Sequence, residues 1–196
     1  MYAKNRKTQS KKTKAKNPRG KKNPREGLQK LPKKSLDLAS SLIGKGEAEK
    51  NNQGPFIDLI SRKANANANW CAHFISYVLE ESYKSLGHEM PFKRSGGALK
   101  LFNNVKKAGG YVSSYPVVGS LVLWDRGVAG SWQKHIGIVS DLILNESQKV
   151  IGWVSIEGNT GTHKKTKGKV RKIKHNINRE KRLEGFVTIP DPQVQK

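Results

Sequence analysis

The chain has 196 residues, enough for one compact domain with extensions. Its 38 Lys and Arg outnumber its 15 Asp and Glu, which gives a formal net charge of +23. Two segments hold most of this charge: residues 1–34 carry a net +13 and residues 164–182 a net +9, so the rest of the sequence carries only +1. This distribution excludes a uniformly basic nucleic-acid-coating fold and favours a neutral folded body with two cationic appendages.

Hydropathy and cysteine content exclude further classes of protein. No apolar run approaches the about 20 residues of a membrane-spanning helix, and no apolar stretch with a cleavage site follows the basic N-terminus. We therefore expect neither a membrane span nor a secretory signal. Cys71 is the single cysteine, which excludes an internal disulfide and a zinc cluster built on several cysteines. It is a buried filler, an intermolecular thiol or a nucleophile, depending on its surroundings.

Composition divides the chain into three parts. Residues 1–34 contain too few large apolar side chains to offset the entropy lost on ordering, so they are predicted to be a basic, intrinsically disordered arm. Residues 35–190 are predicted to form the folded domain, and residues 191–196 a C-terminal tail.

Helices are predicted first along the domain. An amphipathic helix is expected at 35–43 with Ser35 as its N-cap, and a short one at 55–62. After an Asn-rich loop, a stronger helix is predicted from Cys71 to about Tyr83. Its apolar stripe consists of Phe74, Ile75, Val78 and Leu79. A further helix is expected at 98–107, where Gly109 and Gly110 end it.

Short strands follow the helices. Apolar and β-branched runs predict strands at 119–124, 135–141, 150–157, 170–175 and 184–189. Helices followed by consecutive strands predict an α+β fold, with the N-terminal helices packed on a small antiparallel sheet.

Three segments bring chemically reactive residues together in this layout. Cys71 stands where a polar loop becomes a helix, and a helix N-terminus favours the thiolate form of cysteine. His135 opens one strand, while Glu157 and Asn159 end the next. The start of one antiparallel strand lies beside the end of its neighbour, so Glu157 or Asn159 can contact His135. The pattern predicts a nucleophile, a base and a group that orients the base.

The motifs Trp70-Cys71-Ala72-x-Phe74, 119-GSLVLW-124, 135-HIGIV-139 and 157-EGN-159 resemble the CHAP family in order and spacing, over about residues 50–190. CHAP proteins are cysteine- and histidine-dependent amidohydrolases and peptidases of papain-like fold that cleave bacterial cell walls. The resemblance implies that Cys71 is the nucleophile, His135 the base and Glu157 its orienting acceptor, with Asn159 also lining the site. The strand that usually begins Gly-Asp in this family begins Gly119-Ser120 here.

Other residues are assigned supporting roles. The backbone N–H of Cys71 and a side-chain amide of Asn65 or Asn69 are candidate oxyanion donors. Some family members bind calcium through carboxylates just before the cysteine. Asn65, Asn67 and Asn69 occupy those positions here, so we expect no metal and no cofactor. Trp132 and Trp70 are candidate substrate-binding residues.

The remaining histidines are expected to lie outside the site. His73 is two residues from Cys71 along the helix and faces another direction. His88, His163 and His175 are expected to be solvated.

These features predict a peptidoglycan hydrolase that cleaves an amide bond, acting as an N-acetylmuramoyl-L-alanine amidase or an endopeptidase. The expected setting is a phage lysin or virion-associated enzyme, located in the virion or the host cytoplasm and acting at the bacterial cell wall. The basic segments 1–34 and 164–182 are candidate contacts for an anionic wall polymer, phage structural proteins or, nonspecifically, nucleic acid. The alternative is a catalytically silent assembly component of a phage particle, with a CHAP-like fold and a basic anchoring arm.

Overall fold

The computed structural model describes residues 29–48, 50–64, 68–128, 130–161 and 167–192. Within these ranges the chain forms four helices and six strands. The helices are α1 (Lys30–Ser41), α2 (Pro55–Ser61), α3 (Cys71–Ser85) and α4 (Ala98–Lys107). The strands are β1 (Val112–Ser113), β2 (Leu121–Asp125), β3 (Lys134–Leu144), β4 (Val150–Thr160), β5 (Lys169–Asn176) and β6 (Leu183–Val187).

The strands form one sheet in the order β1-β6-β2-β3-β4-β5, and each neighbouring pair is antiparallel. The predicted α+β class, with helices before an antiparallel sheet, is therefore confirmed. The pairing of β3 with β4 aligns Gly137 with Glu157, two residues after His135. This register brings the start of β3 and the end of β4 to the same part of the sheet.

Helix α3 lies at the centre of the main core. It packs against β3 and β4 on one side and contacts α1, α2 and α4 on others. The four residues of its predicted stripe are fully buried, as are the inward-facing residues Ile136, Ile138 and Ile156 of the sheet. Burial on most sides makes α3 a rigid support for the residue at its N-terminus. None of the helices in the described ranges has the length and hydropathy to span a membrane.

Helix α1 begins at Lys30, five residues before its predicted start. Ser35 is a buried residue inside this helix instead of its N-cap, and Leu31 is fully buried. The averaged composition of residues 1–34 concealed this one apolar anchor, while Pro32 is tolerated because it lies in the first turn. Residues 30–34, which were assigned to the predicted disordered arm, therefore belong to α1, and residues 1–28 of that predicted arm lie outside the described ranges.

The second basic segment is part of the sheet, which differs from its interpretation as an appendage. Its described part forms the edge strand β5 and the turn that leads to β6. Lys169, Arg171, Lys172 and Lys174 are exposed along this strand. Charged side chains on an edge strand oppose pairing with another chain, which gives this cluster of charge a structural role.

Candidate active site

The Cys71 thiol lies at the first residue of α3, beside the start of β3. The His135 ring and the backbone N–H groups of Ile136 and Ala72 form hydrogen bonds with the sulfur. Burial by itself raises the pKa of this thiol, but the hydrogen bonds and the charge of His135 together outweigh it. The pKa of Cys71 consequently lies below its ordinary value of 9.0. A thiol with a lowered pKa next to an imidazole has the character of a nucleophile.

His135 connects Cys71 to Glu157. Its Nε2 lies 2.7 Å from Oε2 of Glu157, and both residues are almost completely buried. Burial lowers the pKa of His135, but the hydrogen bonds with Cys71 and Glu157 raise it to about 9. His135 is therefore an imidazolium at neutral pH, with the Cys71 sulfur on one side and the Glu157 carboxylate on the other. Of the two residues predicted to be able to contact His135, Glu157 makes this contact, while Asn159 is bonded to Asn69.

Gly137 explains how Glu157 reaches the histidine. The two residues are register partners, and a Cβ added at Gly137 would lie 2.8 Å from Cγ of Glu157. The Glu157 side chain thus passes over the space that a larger residue at 137 would fill. A glycine two positions after the histidine is a steric requirement of this arrangement.

Two further donors hold the Glu157 carboxylate. Oε1 accepts a hydrogen bond from Ser155 Oγ at 2.5 Å and lies 2.9 Å from Nε2 of His175. Nδ1 of His175 in turn lies 2.8 Å from Oε1 of Glu180. Burial raises the pKa of Glu157, but its three donors lower it far below the usual 4.5. A continuous series of hydrogen bonds therefore connects Cys71 with Glu180.

An open cavity of about 350 Å³ gives access to the pair from outside. Cys71 and His135 line it together with Trp132, whose side chain is 81% exposed. Polar and small residues complete the wall: Asn69, Gly96, Gly97, Ala98, Arg126, Gln133, Lys134 and Asn159. A cavity with an exposed aromatic ring and polar walls suits an extended polar substrate better than a small apolar one.

The predicted amide side chains take different positions. Asn159 donates from Nδ2 to Oδ1 of Asn69 at 3.1 Å, and both residues line the cavity. Because Oδ1 of Asn69 accepts this bond, the Nδ2 group of Asn69 is the part of its side chain that can donate to a substrate. Asn159 has a left-handed backbone with φ of 57°, which asparagine tolerates better than most residues. Asn65, the other candidate oxyanion donor, lies outside the described residues.

Trp70 lies beneath the site instead of on its surface. The residue is fully buried and its indole N–H donates to Oε1 of Glu47 at 3.1 Å. Glu47 also accepts a hydrogen bond from the backbone N–H of Gly168 at 2.7 Å. These contacts fix Trp70, the residue before Cys71, in the core, while Trp132 is the tryptophan that lines the cavity.

The prediction that His175 is solvated is wrong. Its side chain is only 11% exposed, because its ring packs against Trp124 and Trp153 at centroid distances of 4.9 and 5.1 Å. The predicted strand at 170–175 included this residue, but only the β4–β5 register, which pairs it with Trp153, reveals its position. Ser155, which donates to Glu157, and Glu180, which faces His175, were not predicted as site residues, because their contacts also depend on how the strands pair. His88 is half-buried after α3, and His163 lies outside the described residues.

His73 lies apart from this series of hydrogen bonds, as predicted from its position on the helix. Its ring packs so closely on Gly96 that a Cβ there would lie 2.4 Å from Nε2. Burial, followed by the charge of Arg94, lowers the pKa of His73 below its ordinary value of 6.5.

No protein-family model matches the sequence, and no curated protein is similar to it. Among solved structures, the crystal structure of Ly7917 is similar, with a TM-score of 0.41 and 13% sequence identity. The match covers 81% of this chain and spans 62% of the length of that one. A likeness this distant says nothing about the function.

Proposed function

We propose that this protein is a cysteine-dependent peptidoglycan hydrolase with a CHAP-like, papain-like catalytic domain. The observation that carries the proposal is the buried, hydrogen-bonded series Cys71–His135–Glu157, which begins at a helix N-terminus. An open cavity reaches this series at Cys71. A nucleophile, a base and an orienting carboxylate in contact are the arrangement that covalent acyl transfer requires.

In the first step the thiolate of Cys71 attacks an amide carbonyl carbon and forms a C–S bond. The C–N bond then breaks as His135 gives its proton to the leaving nitrogen, so that a neutral amine departs. Glu157 keeps the His135 ring in place during this transfer and stabilises its positive charge. The product is a thioester on Cys71.

Water completes the reaction. The neutral His135 takes a proton from the water, whose oxygen attacks the thioester carbon and releases the acid and the thiolate. In both steps the carbonyl oxygen carries negative charge, which the backbone N–H of Cys71 is positioned to stabilise at the start of α3. Nδ2 of Asn69 is a second donor within the same cavity.

Two features support a cell-wall substrate. The cavity is open, and its exposed Trp132 offers a flat apolar surface on which a sugar ring can stack. The exposed cations along β5 attract an anionic envelope such as one that contains teichoic acid. Together with the ordered motifs that resemble CHAP proteins, these features favour an N-acetylmuramoyl-L-alanine amidase or endopeptidase. A phage lysin or a virion-borne enzyme is the setting that we propose for it.

The test is the loss of turbidity of purified, outer-membrane-stripped cell walls. We expect clearing by the wild type and none by Cys71→Ala or His135→Ala, while a surface variant, Glu146→Gln, clears walls as the wild type does. Equal clearing by Cys71→Ala would exclude the cysteine mechanism. The absence of clearing by all four proteins, across several wall types, would favour the silent assembly component.

A further inference from the structure

A second cavity, of about 380 Å³, opens behind the cysteine site. His135 and Glu157 of the candidate site line it together with His175 and Glu180. The hydrolysis proposed above uses neither His175 nor Glu180. Both are nevertheless connected to the base, because Glu157 accepts hydrogen bonds from His135 on one oxygen and from His175 on the other.

The geometry determines the charge of His175. Its Nε2 faces Oε1 of Glu157 at 2.9 Å and Oγ of Ser155 at 2.9 Å, and its Nδ1 faces Oε1 of Glu180 at 2.8 Å. Ser155 donates its single hydroxyl proton to the same Glu157 oxygen, so it does not supply one to Nε2. An ionised carboxylate only accepts hydrogen bonds, so both ring nitrogens must donate, which makes the ring an imidazolium. The rings of Trp124 and Trp153, whose centroids lie 4.9 and 5.1 Å from that of His175, stabilise a cation further.

The charges around His175 come from several elements. Glu157 on β4 and Glu180 in the turn after β5 face it directly, and His135 on β3 faces it across Glu157. Asp125 at the end of β2 lines the same cavity, as do the cations Arg126, Arg179, Lys181 and Arg182. Burial lowers the pKa of His175, but the two carboxylates in contact raise it above 6.5 overall.

We propose that His175 is a positioning residue that, as a cation, holds the second oxygen of Glu157 and partly neutralises the carboxylate that orients His135. This proposal rests on the proposed function only in treating Cys71 and His135 as nucleophile and base. Without His175, the full charge of Glu157 acts on His135, which then keeps its proton to higher pH. A base that holds its proton too tightly transfers it poorly near neutral pH, so His175 adjusts His135 towards its working range.

The experiment is an NMR titration of the histidine rings in full-length protein labelled with ¹⁵N-histidine, which needs no substrate. In the wild type at pH 7, we expect both ring nitrogens of His175 to carry a proton. His175→Gln retains a donor for Glu157 but removes the charge. It should move the His135 midpoint to a proton concentration at least roughly tenfold lower, as expected for a unit charge within about 12 Å at an effective dielectric constant of about 20. Lys174→Gln, which removes an exposed charge from the same strand, should leave that midpoint unchanged.

A second variant keeps the test valid if His175→Gln does not fold. Glu180→Gln keeps an acceptor for Nδ1 but removes the negative charge that faces His175, so His175 should release its proton at lower pH than in the wild type. An unprotonated ring nitrogen on His175 at pH 7, or an unchanged or lower His135 midpoint in His175→Gln, would overturn the inference. A protein that clears no cell walls yet shows these shifts would refute the proposed function and leave the role of His175 standing.

Discussion

Replacing Glu157 by Gln keeps the shape of the side chain and removes the charge that faces His135. Two unit charges about 4 Å apart interact by about 4 kcal/mol at an effective dielectric constant of 20 and by about 1 kcal/mol in bulk water. Because Glu157 is 1% exposed and His135 is 5% exposed, the interaction lies nearer the first value. Loss of about 3 kcal/mol corresponds to a roughly hundredfold smaller population of the thiolate–imidazolium pair.

The assay is alkylation of Cys71 by iodoacetamide at pH 6.5, followed by intact mass. Cys71 is the single cysteine, so each added mass reports on this site alone. We expect Glu157→Gln to react about a hundredfold more slowly than the wild type, since only the thiolate reacts. Glu146→Gln, an exposed carboxylate in the β3–β4 turn, serves as the matched control and should react at the wild-type rate. Alkylation of folded Glu157→Gln within about twofold of the wild type would refute the reasoning that assigns Glu157 to the pair.

Three other predictions follow from the same geometry. The folded-state pKa of Glu157 is depressed, so the stability that it contributes is present above pH 4.5 and is lost as the pH falls below that value. Between pH 4.5 and pH 3, the free energy of unfolding measured with urea should depend less on pH in Glu157→Gln than in the wild type, by up to about 1.4 kcal/mol per pH unit. An equal pH dependence in both proteins would contradict this assignment. Gly137→Ala should lower the free energy of unfolding by about 1–3 kcal/mol, because its Cβ would lie 2.8 Å from Glu157 Cγ. Gly97→Ala, whose Cβ would meet its nearest neighbours at 3.7 Å, is the control, and a similar loss in both variants would argue against a specific clash. Trp132→Ala should change the free energy of unfolding by less than about 0.5 kcal/mol, since the side chain is exposed, yet raise KM for solubilised peptidoglycan with little change in kcat. An unchanged KM would remove Trp132 from the substrate-binding surface.

The parts of the site that could be predicted from sequence depend on local rules. The apolar stripe of α3 predicts its buried faces, and the change from polar loop to helix places Cys71 at the N-terminus. Adjacent antiparallel strands bring the start of one beside the end of the next, which is why His135 and Glu157 could be placed together. These rules need only periodicity and chain order.

The parts that could not be predicted depend on register and on single anchoring residues. His175 reaches Glu157 because β5 pairs with β4 so that His175 lies opposite Trp153. A shift of one residue would turn it to the other face, and the basic sequence of β5 contains little apolar alternation to specify that register. Leu31 is fully buried at the early start of α1, and the buried Trp70 donates to Glu47, which is distant in sequence.

Cleavage of a soluble, cross-linked peptidoglycan fragment in heavy-oxygen water, analysed by mass spectrometry, tests the central claim most directly. If Cys71 cleaves an amide bond by hydrolysis, the wild type produces two fragments, one with a new amine and the other with a new carboxylate that carries the heavy oxygen. Cys71→Ala should then produce neither. Release of the same fragments by Cys71→Ala, or cleavage between sugars instead of at an amide, would contradict the central claim.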